Sequence, residues 1–152
     1  MLVVFYDLGT IQNDLFKYAI IACKYEDEWV FVQHKEKQTW EIPGGRRELG
    51  EDINDTAKRE LQEETGALNF TLYEVCDYSV TKGSTSYGRL FYAEIQELGG
   101  LPDLEIGQIT QMEDLPKTLT YPEIQPLLLQ KIKAFIAGRN LIEGAHNKDI
   151  LK

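Results

Sequence analysis

The sequence contains little cysteine and no long apolar segment. Only Cys23 and Cys76 occur in 152 residues, and both stand in apolar, strand-like runs. We therefore expect reduced thiols buried in a core rather than a disulfide or a reactive pair. Crossing a bilayer takes about 20 consecutive apolar residues, and the apolar start of the chain, MLVVF, is far shorter. A cytoplasmic protein is the expectation.

Positive charge is also scarce. The chain has 16 Lys and Arg against 25 Asp and Glu, so its formal net charge is −9. Nonspecific nucleic-acid binding rests on Lys and Arg contacts to phosphate, and docking to an anionic membrane needs basic segments. The charge balance disfavours both kinds of partner. A small anionic ligand stays compatible with it if a cation lies between the ligand and the protein.

Internal repeats, low-complexity blocks and linkers rich in Pro, Gly or Ser are absent as well. A chain of 152 residues can enclose a sizeable core without disulfides or a structural metal. We therefore predict a single domain over residues 1–152. Its polar tail, residues 139–152, is expected to fray.

The hydrophobic pattern predicts mostly strands, with one helix in the middle of the chain and one near its end. The runs FKYAIIAC and EWVFVQH flank the polar KYEDE, which is typical of a hairpin. Further strands are predicted in FTLYEVCDYSV, SYGRLFYAEIQEL and, more weakly, IGQITQM, with a short extended piece in TWEIP. DINDTAKRELQEET, followed by Gly66, and YPEIQPLLLQKIKAFIAG have helical patterns. This order predicts an α/β fold, a mixed sheet with helices packed on it.

Three glutamates crowd one side of the first helix. Glu60, Glu63 and Glu64 lie within roughly 100° on a helical wheel, and their arc overlaps the apolar arc of Ile53, Ala57 and Leu61. An exposed acidic helix with imperfect amphipathicity is one interpretation. A ligand cluster for Mg²⁺ or Mn²⁺ is the other, because i, i+3, i+4 spacing points carboxylates at one place. A cation would also relieve their mutual repulsion.

The residues around these glutamates favour the second interpretation. From Gly45 to Ala67 they run G-x5-E-x7-R-E-L-x-E-E-x-G-A. This resembles the box of the Nudix hydrolases, G-x5-E-x7-R-E-U-x-E-E-x-G-U, where U is a bulky apolar residue. Ala67 departs from that pattern, but it replaces no charged residue. WEIPGG resembles the lead-in of the MutT-like branch, and GQITQMEDLP with the helix after it resembles the family's usual ending.

The resemblance implies a Nudix α/β/α sandwich and the Mg²⁺-dependent hydrolysis of a nucleoside diphosphate linked to another group, with Mn²⁺ as a substitute. The cation ligands would be Glu60, Glu63 and Glu64. Gly45 would let the backbone approach cation and phosphate, since no Cβ intrudes. Two further carboxylates stay ambiguous. Glu51 makes either a structural or an outer metal contact, and Glu48 is either near the metal or a solvated loop charge.

Two catalytic roles also follow from the resemblance. Arg59 would pair with a glutamate of the box and hold its rotamer; the alternative is an ordinary surface arginine. The general base stays open, because relatives place it either in the box or on a later loop. Glu63 and Glu60 are candidates in the box, and Glu105 lies in the loop region where relatives often supply a distal glutamate.

Substrate contacts are harder to predict. Arg46 and Arg47 flank the glycine pair Gly44-Gly45, so one of them could contact phosphate, although relatives usually have an apolar residue in place of Arg47. Arg89 is a further candidate. Trp40 either stacks against a base or packs in the core at a strand end. His34 and His146 have no ligand-like partner nearby in sequence and receive no role.

The substrate itself is approached through markers of individual Nudix subfamilies. Lys82 and Gly83 stand where ADP-ribose hydrolases carry a proline, the SQPWPFP-like array of NADH hydrolases is absent, and no tyrosine occupies positions 83–85 as in many dinucleotide hydrolases. These features favour a nucleoside triphosphate such as 8-oxo-dGTP. An RNA 5′ pyrophosphohydrolase is the alternative enzyme, and a nucleotide-sensing module is the alternative without catalysis. Such sensors typically lose box glutamates, which are all retained here. The oligomeric state stays open.

Overall fold

The computed structural model describes the backbone of residues 1–150 and the side chains of residues 1–143. This described part contains seven strands, two helices and a short 3-10 turn. The strands are β1 (Leu2–Tyr6), β2 (Phe16–Tyr25), β3 (Glu28–His34), β4 (Gly44–Arg46), β5 (Ala67–Lys82), β6 (Ser84–Leu98) and β7 (Ile106–Met112). The helices are α1 (Ile53–Thr65) and α2 (Gln125–Ile150), and the 3-10 turn covers Asn13–Leu15.

All seven strands belong to one mixed sheet, in which six follow the order β1-β5-β6-β2-β3-β7 and the seventh, β4, pairs with β2. Strands β2 and β6 run parallel, and the other pairs are antiparallel. Strands β2 and β3 pair directly only beside their turn, at Lys24 and Tyr25. Farther from the turn, β4 pairs with β2 and Glu41 bridges to Val32 of β3. The sheet therefore opens between β2 and β3, and residues 41–46 fill the gap.

The two helices cover opposite faces of this sheet. Along β2, Ile21 and Cys23 join the core cluster beneath α1, whereas Ala22 joins the cluster beneath α2, as the two-residue period of a strand requires. Leu61 of α1 and Ile132 of α2 are both fully buried. The resulting α/β/α sandwich confirms the predicted fold class.

Local signals in the sequence form the turns and caps they predict. The turn between β2 and β3 has Glu26 and Asp27 at φ 53° and 66°, the left-handed conformation that a two-residue hairpin turn needs at both positions. Asp52 caps α1 by accepting from the Asn54 N–H at 2.9 Å. Gly66 ends the same helix at φ 79°. Both cysteines are buried and unpaired.

Three features differ from the sequence pattern. The apolar start of the chain is an edge strand, β1, which pairs with β5 about 75 residues away in the chain. The glycine pair, read as the end of an extended piece, is itself part of strand β4. Helix α2 continues past Gly138 to Ile150, so the predicted fraying concerns a helical segment and stays a prediction; residues 151–152 lie outside the described part. Among the described helices, none is both long and apolar enough to cross a membrane.

Replacing Gly66 by alanine should destabilise the protein more than replacing Gly83, although the two residues have nearly the same φ. A Cβ at Gly66 would lie 2.8 Å from the Gly100 carbonyl oxygen, whereas one at Gly83 meets nothing within 4 Å. Gly83→Ala should therefore cost only the left-handed strain, about 1–2 kcal/mol. The check is denaturant unfolding of both variants. Equal losses of unfolding free energy would show that the Gly66–Gly100 contact yields easily.

Candidate active site

The glycine pair of β4 brings backbone against the acidic side of α1. The Gly44 N–H donates to Glu64 Oε1 at 2.8 Å, and Glu64 is only 4% exposed. At Gly45 an added Cβ would overlap the Glu60 carboxylate. Glycine at this position leaves the Glu60 carboxylate in its place, because no Cβ stands between the two elements.

Arg59 connects the carboxylates of this region. Its Nε and Nη2 donate to the two oxygens of Glu51 at 2.9 and 3.0 Å, a bidentate pair. Its Nη1 donates to Glu60 Oε1 at 2.9 Å and lies 3.4 Å from Glu63 Oε2. Nη2 also donates to the Arg46 carbonyl at 2.9 Å. Arg59 thus contacts three glutamates and the strand with the glycine pair, which is not the arrangement of a surface arginine.

Glu51 is committed to this network. In addition to Arg59, its Oε1 accepts from the Thr56 hydroxyl at 2.6 Å and from the Glu48 N–H at 3.1 Å. The Arg59 hydrogen bonds are the main reason that the pKa of Glu51 is lowered to about 2. These bonds favour the structural contact, and the outer metal contact stays a prediction. Glu48 is exposed, with Oε1 3.8 Å from Arg59 Nη1, and its metal role stays a prediction.

Four carboxylates line one small cavity of about 140 Å³ between α1 and the segment before β7: Glu60, Glu63, Glu64 and Glu105. Burial raises the pKa of Glu60 to about 7, against the lowering effect of Arg59. Burial also raises the pKa of Glu64 to about 8, and nearby Glu60, Glu41 and Glu105 raise it further. The protein thus places two carboxyl groups with raised pKa, Glu60 and Glu64, beside the carboxyl groups of Glu63 and Glu105. Glu105, predicted from a distant loop, belongs to this group.

The donor set suits a hard divalent cation. Carboxylate oxygens are the ligands that Mg²⁺ and Mn²⁺ prefer, and a bound cation would offset the burial and repulsion that raise these pKa values. Glu60, Glu63 and Glu64 are the residues that would hold it, and Glu105 lies in the same cavity. His34 also qualifies, since one of its ring nitrogens and one oxygen each of Glu64 and Glu105 lie within 4.8 Å of one another.

His34 is a site residue that the sequence pattern missed. Its Nε2 lies 2.7 Å from Glu41 Oε2 and 3.8 Å from Glu64 Oε2. Glu41 is buried, and Lys37 Nζ lies 3.7 Å from its other oxygen. His34 ends β3, and the short connection after it returns the chain to Glu41. The short loop was the available signal in the sequence, because the residues at its two ends, His34 and Glu41, must lie close together.

A larger cleft of about 330 Å³ extends from these carboxylates to an apolar end. Tyr18, Ile20, Tyr121 and Leu128 line the apolar end and continue into an adjoining hollow of about 240 Å³, whose wall also includes Tyr78. Of the Arg and Lys residues in the described part, only Arg46 lines the larger cleft. Its guanidinium lies 5.8 Å from the centre of the Tyr18 ring. The cleft is therefore acidic at one end and aromatic at the other.

Three predicted substrate contacts do not line the cleft. Arg47 donates to four backbone carbonyls. Arg89 binds Asp77 at 2.8 Å and Glu74 at 2.9 Å. Trp40 packs beside the core under α2, the alternative considered for it. Their contacts favour structural roles, and their substrate roles stay predictions, while Gly44, Gly45 and Arg46 do line the cleft. The His146 side chain lies outside the described part.

Comparison with known proteins identifies the class to which this fold and site belong. The model of the NUDIX domain matches residues 16–126. The chain belongs to the Nudix family, and it is a Nudix hydrolase.

Individual relatives agree with this family but differ in name. "Putative 8-oxo-dGTP diphosphatase YtkD" of Bacillus subtilis (strain 168) is 26% identical over 132 residues, 80% of this chain and 83% of that protein. The fold is shared with the Bacillus subtilis pyrophosphohydrolase BsRppH, at 23% identity and TM-score 0.72, over 87% of this chain and 90% of that one. A C. elegans Ap4A hydrolase has 27% identity and TM-score 0.62, over 81% and 98%.

Removing the charge of Glu64 should stabilise the metal-free protein. In Glu64→Gln the amide oxygen can still accept from Gly44, but position 64 no longer has a carboxyl group that must ionise. A carboxyl whose folded pKa is raised, here from 4.5 to about 8, loses its stabilising contribution as pH rises through that interval. At pH 8 in chelator, the variant should therefore melt above the wild type, and Mg²⁺ should raise its melting temperature less.

Glu94→Gln is the matched control, because it removes the same charge at an exposed position on β6. It should leave both the melting temperature in chelator and the Mg²⁺-induced shift unchanged. If Glu64→Gln had a wild-type Mg²⁺-induced shift, Glu64 would not belong to the cation site.

Arg59→Ala should lower turnover about 10–100-fold, the usual effect of removing a residue that orients metal ligands. It should also weaken Mn²⁺ binding, measured by electron paramagnetic resonance. That direction is informative, since loss of a positive charge by itself would strengthen cation binding. Lys58→Ala, at an exposed position on the same helix, is the control and should leave both quantities unchanged. Unaltered turnover and Mn²⁺ affinity in Arg59→Ala would remove its assigned role.

Proposed function

We propose that the protein is a divalent-cation-dependent nucleoside triphosphate pyrophosphohydrolase of the 8-oxo-dGTP type, which converts the triphosphate and water to a nucleoside monophosphate and pyrophosphate. The observation that carries this proposal is the two-ended cleft. One end has carboxylates that can hold cations against phosphates, and the other has one aromatic and apolar hollow for a base.

The proposal of a mononucleotide rests on the charge of the cleft and on its having one carboxylate group and one apolar hollow. Tyr18 and Tyr121 border a single apolar hollow beside a single carboxylate group. A dinucleotide would bring a second base, and RNA would bring further phosphates. Arg46 is the one Arg or Lys of the described residues along the larger cleft, which gives an RNA backbone little to bind. The name of the Bacillus relative supports the 8-oxo-dGTP type.

Each side chain has a distinct task in the proposed reaction. A bound Mg²⁺ or Mn²⁺ supplies Lewis acidity, polarising a phosphoryl oxygen and lowering the pKa of a coordinated water. Glu60, Glu63 and Glu64 hold the cation, and Arg59 keeps Glu60 in place. Arg46 contacts phosphate, while Tyr18 and Tyr121 stack against the base.

For the general base we propose Glu105. Its carboxylate faces the shared cavity and makes no hydrogen bond or ion pair with the described residues, so it is available to take the proton of the attacking water. Glu63 is the alternative base, since its side chain is 40% exposed and its contact with Arg59 Nη1 is long, at 3.4 Å. Glu60 is less suited, because its Oε1 accepts a hydrogen bond from Arg59 at 2.9 Å.

A panel of substrates assayed with Mg²⁺ tests the proposal. 8-oxo-dGTP and the ordinary nucleoside triphosphates should yield monophosphate and pyrophosphate, with higher kcat/KM than ADP-ribose, a diadenosine polyphosphate or triphosphorylated RNA. Products are separated by ion-exchange chromatography, and excess chelator should stop the reaction. Faster cleavage of RNA or of a dinucleotide would replace the proposed substrate. Nucleotide binding without turnover would instead favour the sensor.

The same assay on variants separates the two candidate bases. Glu105→Gln should lower kcat about 100-fold or more if Glu105 is the base, with KM for the nucleotide little changed. Glu63→Gln should lose Mn²⁺ affinity as well as rate, because Glu63 is assigned to the cation. A Glu105→Gln protein with normal kcat would transfer the base role to Glu63.

A further inference from the structure

Arg47 binds backbone carbonyls both within the acidic loop, residues 47–52, and at the start of β2 with the turn before it. Its Nε donates to the Phe16 carbonyl at 3.0 Å and its Nη2 to the Asp14 carbonyl at 3.0 Å. Its Nη1 donates to the carbonyls of Glu51 at 3.2 Å and Glu48 at 3.3 Å. One guanidinium therefore ties the start of β2 and the turn before it to the loop that leads into α1. An apolar residue, which relatives usually have here, could form none of these bonds.

Asn13 also binds the backbone at the end of the acidic loop. Its Nδ2 donates to the Glu51 carbonyl at 3.1 Å, and its Oδ1 accepts from the Ile53 N–H at 2.8 Å. The carbonyl of Glu51 thus receives two side-chain donors, one from Asn13 and one from Arg47. These bonds hold the backbone of Glu51 immediately before the first turn of α1.

The position of Glu51 determines where Arg59 lies. Glu51 binds Arg59 through both oxygens, and Arg59 in turn binds Glu60. The loop between β4 and α1 has little packing of its own, since Leu49 is fully exposed. A loop of this kind opens easily unless side chains tie it down. Arg47 supplies four of these ties.

We propose that Arg47 is a positioning residue of the cation site. It holds the backbone of Glu51 so that Glu51 aligns Arg59, and Arg59 aligns Glu60. The inference rests on the proposed function in one respect: the carboxylates beside Arg59 are the site that holds the cation. It adds a residue outside the cleft, and outside the sequence pattern of the family, to the groups on which cation affinity depends.

The test is Mn²⁺ binding without nucleotide, measured by electron paramagnetic resonance on the full chain. Arg47→Met should weaken Mn²⁺ binding about 10-fold, the lower end of the effect of residues that orient metal ligands. Arg47→Lys should recover part of this affinity, because an ammonium group keeps donors but lacks the planar fork. Lys58→Met removes the same charge from an exposed position on α1 and should leave affinity level or slightly higher. A loss of affinity in Arg47→Met without a loss in Lys58→Met separates positioning from simple electrostatics.

A double-mutant cycle tests the route through Glu51. Glu51→Gln should also weaken Mn²⁺ binding, and adding Arg47→Met to it should cause little further loss, since the two residues act in series. Additive losses would overturn the route, and wild-type Mn²⁺ affinity in a folded Arg47→Met protein would overturn the proposal. If Arg47→Met fails to fold, Arg47→Lys decides: weakened binding supports the role, and wild-type binding rejects it. Absence of nucleotide hydrolysis in the wild type would defeat the proposed function alone, because the Mn²⁺ measurement needs no turnover.

Discussion

Repulsion among carboxylates that share one cavity is the constraint around which this protein is built. Glu64 is buried and Glu60 is partly buried, both beside Glu63 and Glu105, and this burial raises the pKa of Glu60 and Glu64. Such a group is tolerable only if positive charge and backbone N–H groups are brought to it. The fold supplies both, with the guanidinium of Arg59 at one edge and the N–H of Gly44 at the other. A bound cation would complete the balance.

The rest of the site follows from the need to hold these groups at short distances. Helix α1 must begin and end at defined residues, which the cap at Asp52 and the left-handed Gly66 achieve. The backbone of β4 must pass close to Glu60, and an added Cβ at position 45 would displace the Glu60 carboxylate. The sheet must open between β2 and β3 so that β4 can enter. Caps, glycines and the interrupted pairing thus serve one arrangement of charges.

Much of the fold was predictable because its signals are local. Caps, turn residues and hydrophobic periods located α1, the β2–β3 hairpin and the later strands. Strand β1 was not predictable in this way, since five apolar residues become a strand only by pairing with β5, far along the chain. Helix α2 likewise runs past Gly138, because a single glycine lowers helix stability without ending the helix.

In the candidate site, too, residues close in sequence were predictable, whereas residues brought together by the fold were not. The box placed Glu60, Glu63, Glu64 and Arg59 together because all four lie on helix α1. The roles of Arg47 and Arg89 could not be predicted, since their partners are backbone carbonyls and carboxylates brought near by the sheet. His34 and Tyr121 enter the cleft for the same reason, from separate elements. Spacing in the sequence identifies ligands on one helix, but it does not show which distant side chains meet them.

The two ends of the cleft are built from separate parts of the chain. The carboxylate end comes mainly from α1 and the loop before β7. At the aromatic end, Tyr18 and Ile20 belong to β2, Tyr121 lies in the segment before α2, and Leu128 lies in α2. Under the proposed function, a change of side chain at the aromatic end would therefore alter which base is accepted without moving the groups that would hold cations. Such independence lets new specificities arise in small steps while the hydrolytic chemistry is kept, which fits a family whose relatives carry the names of several different substrates.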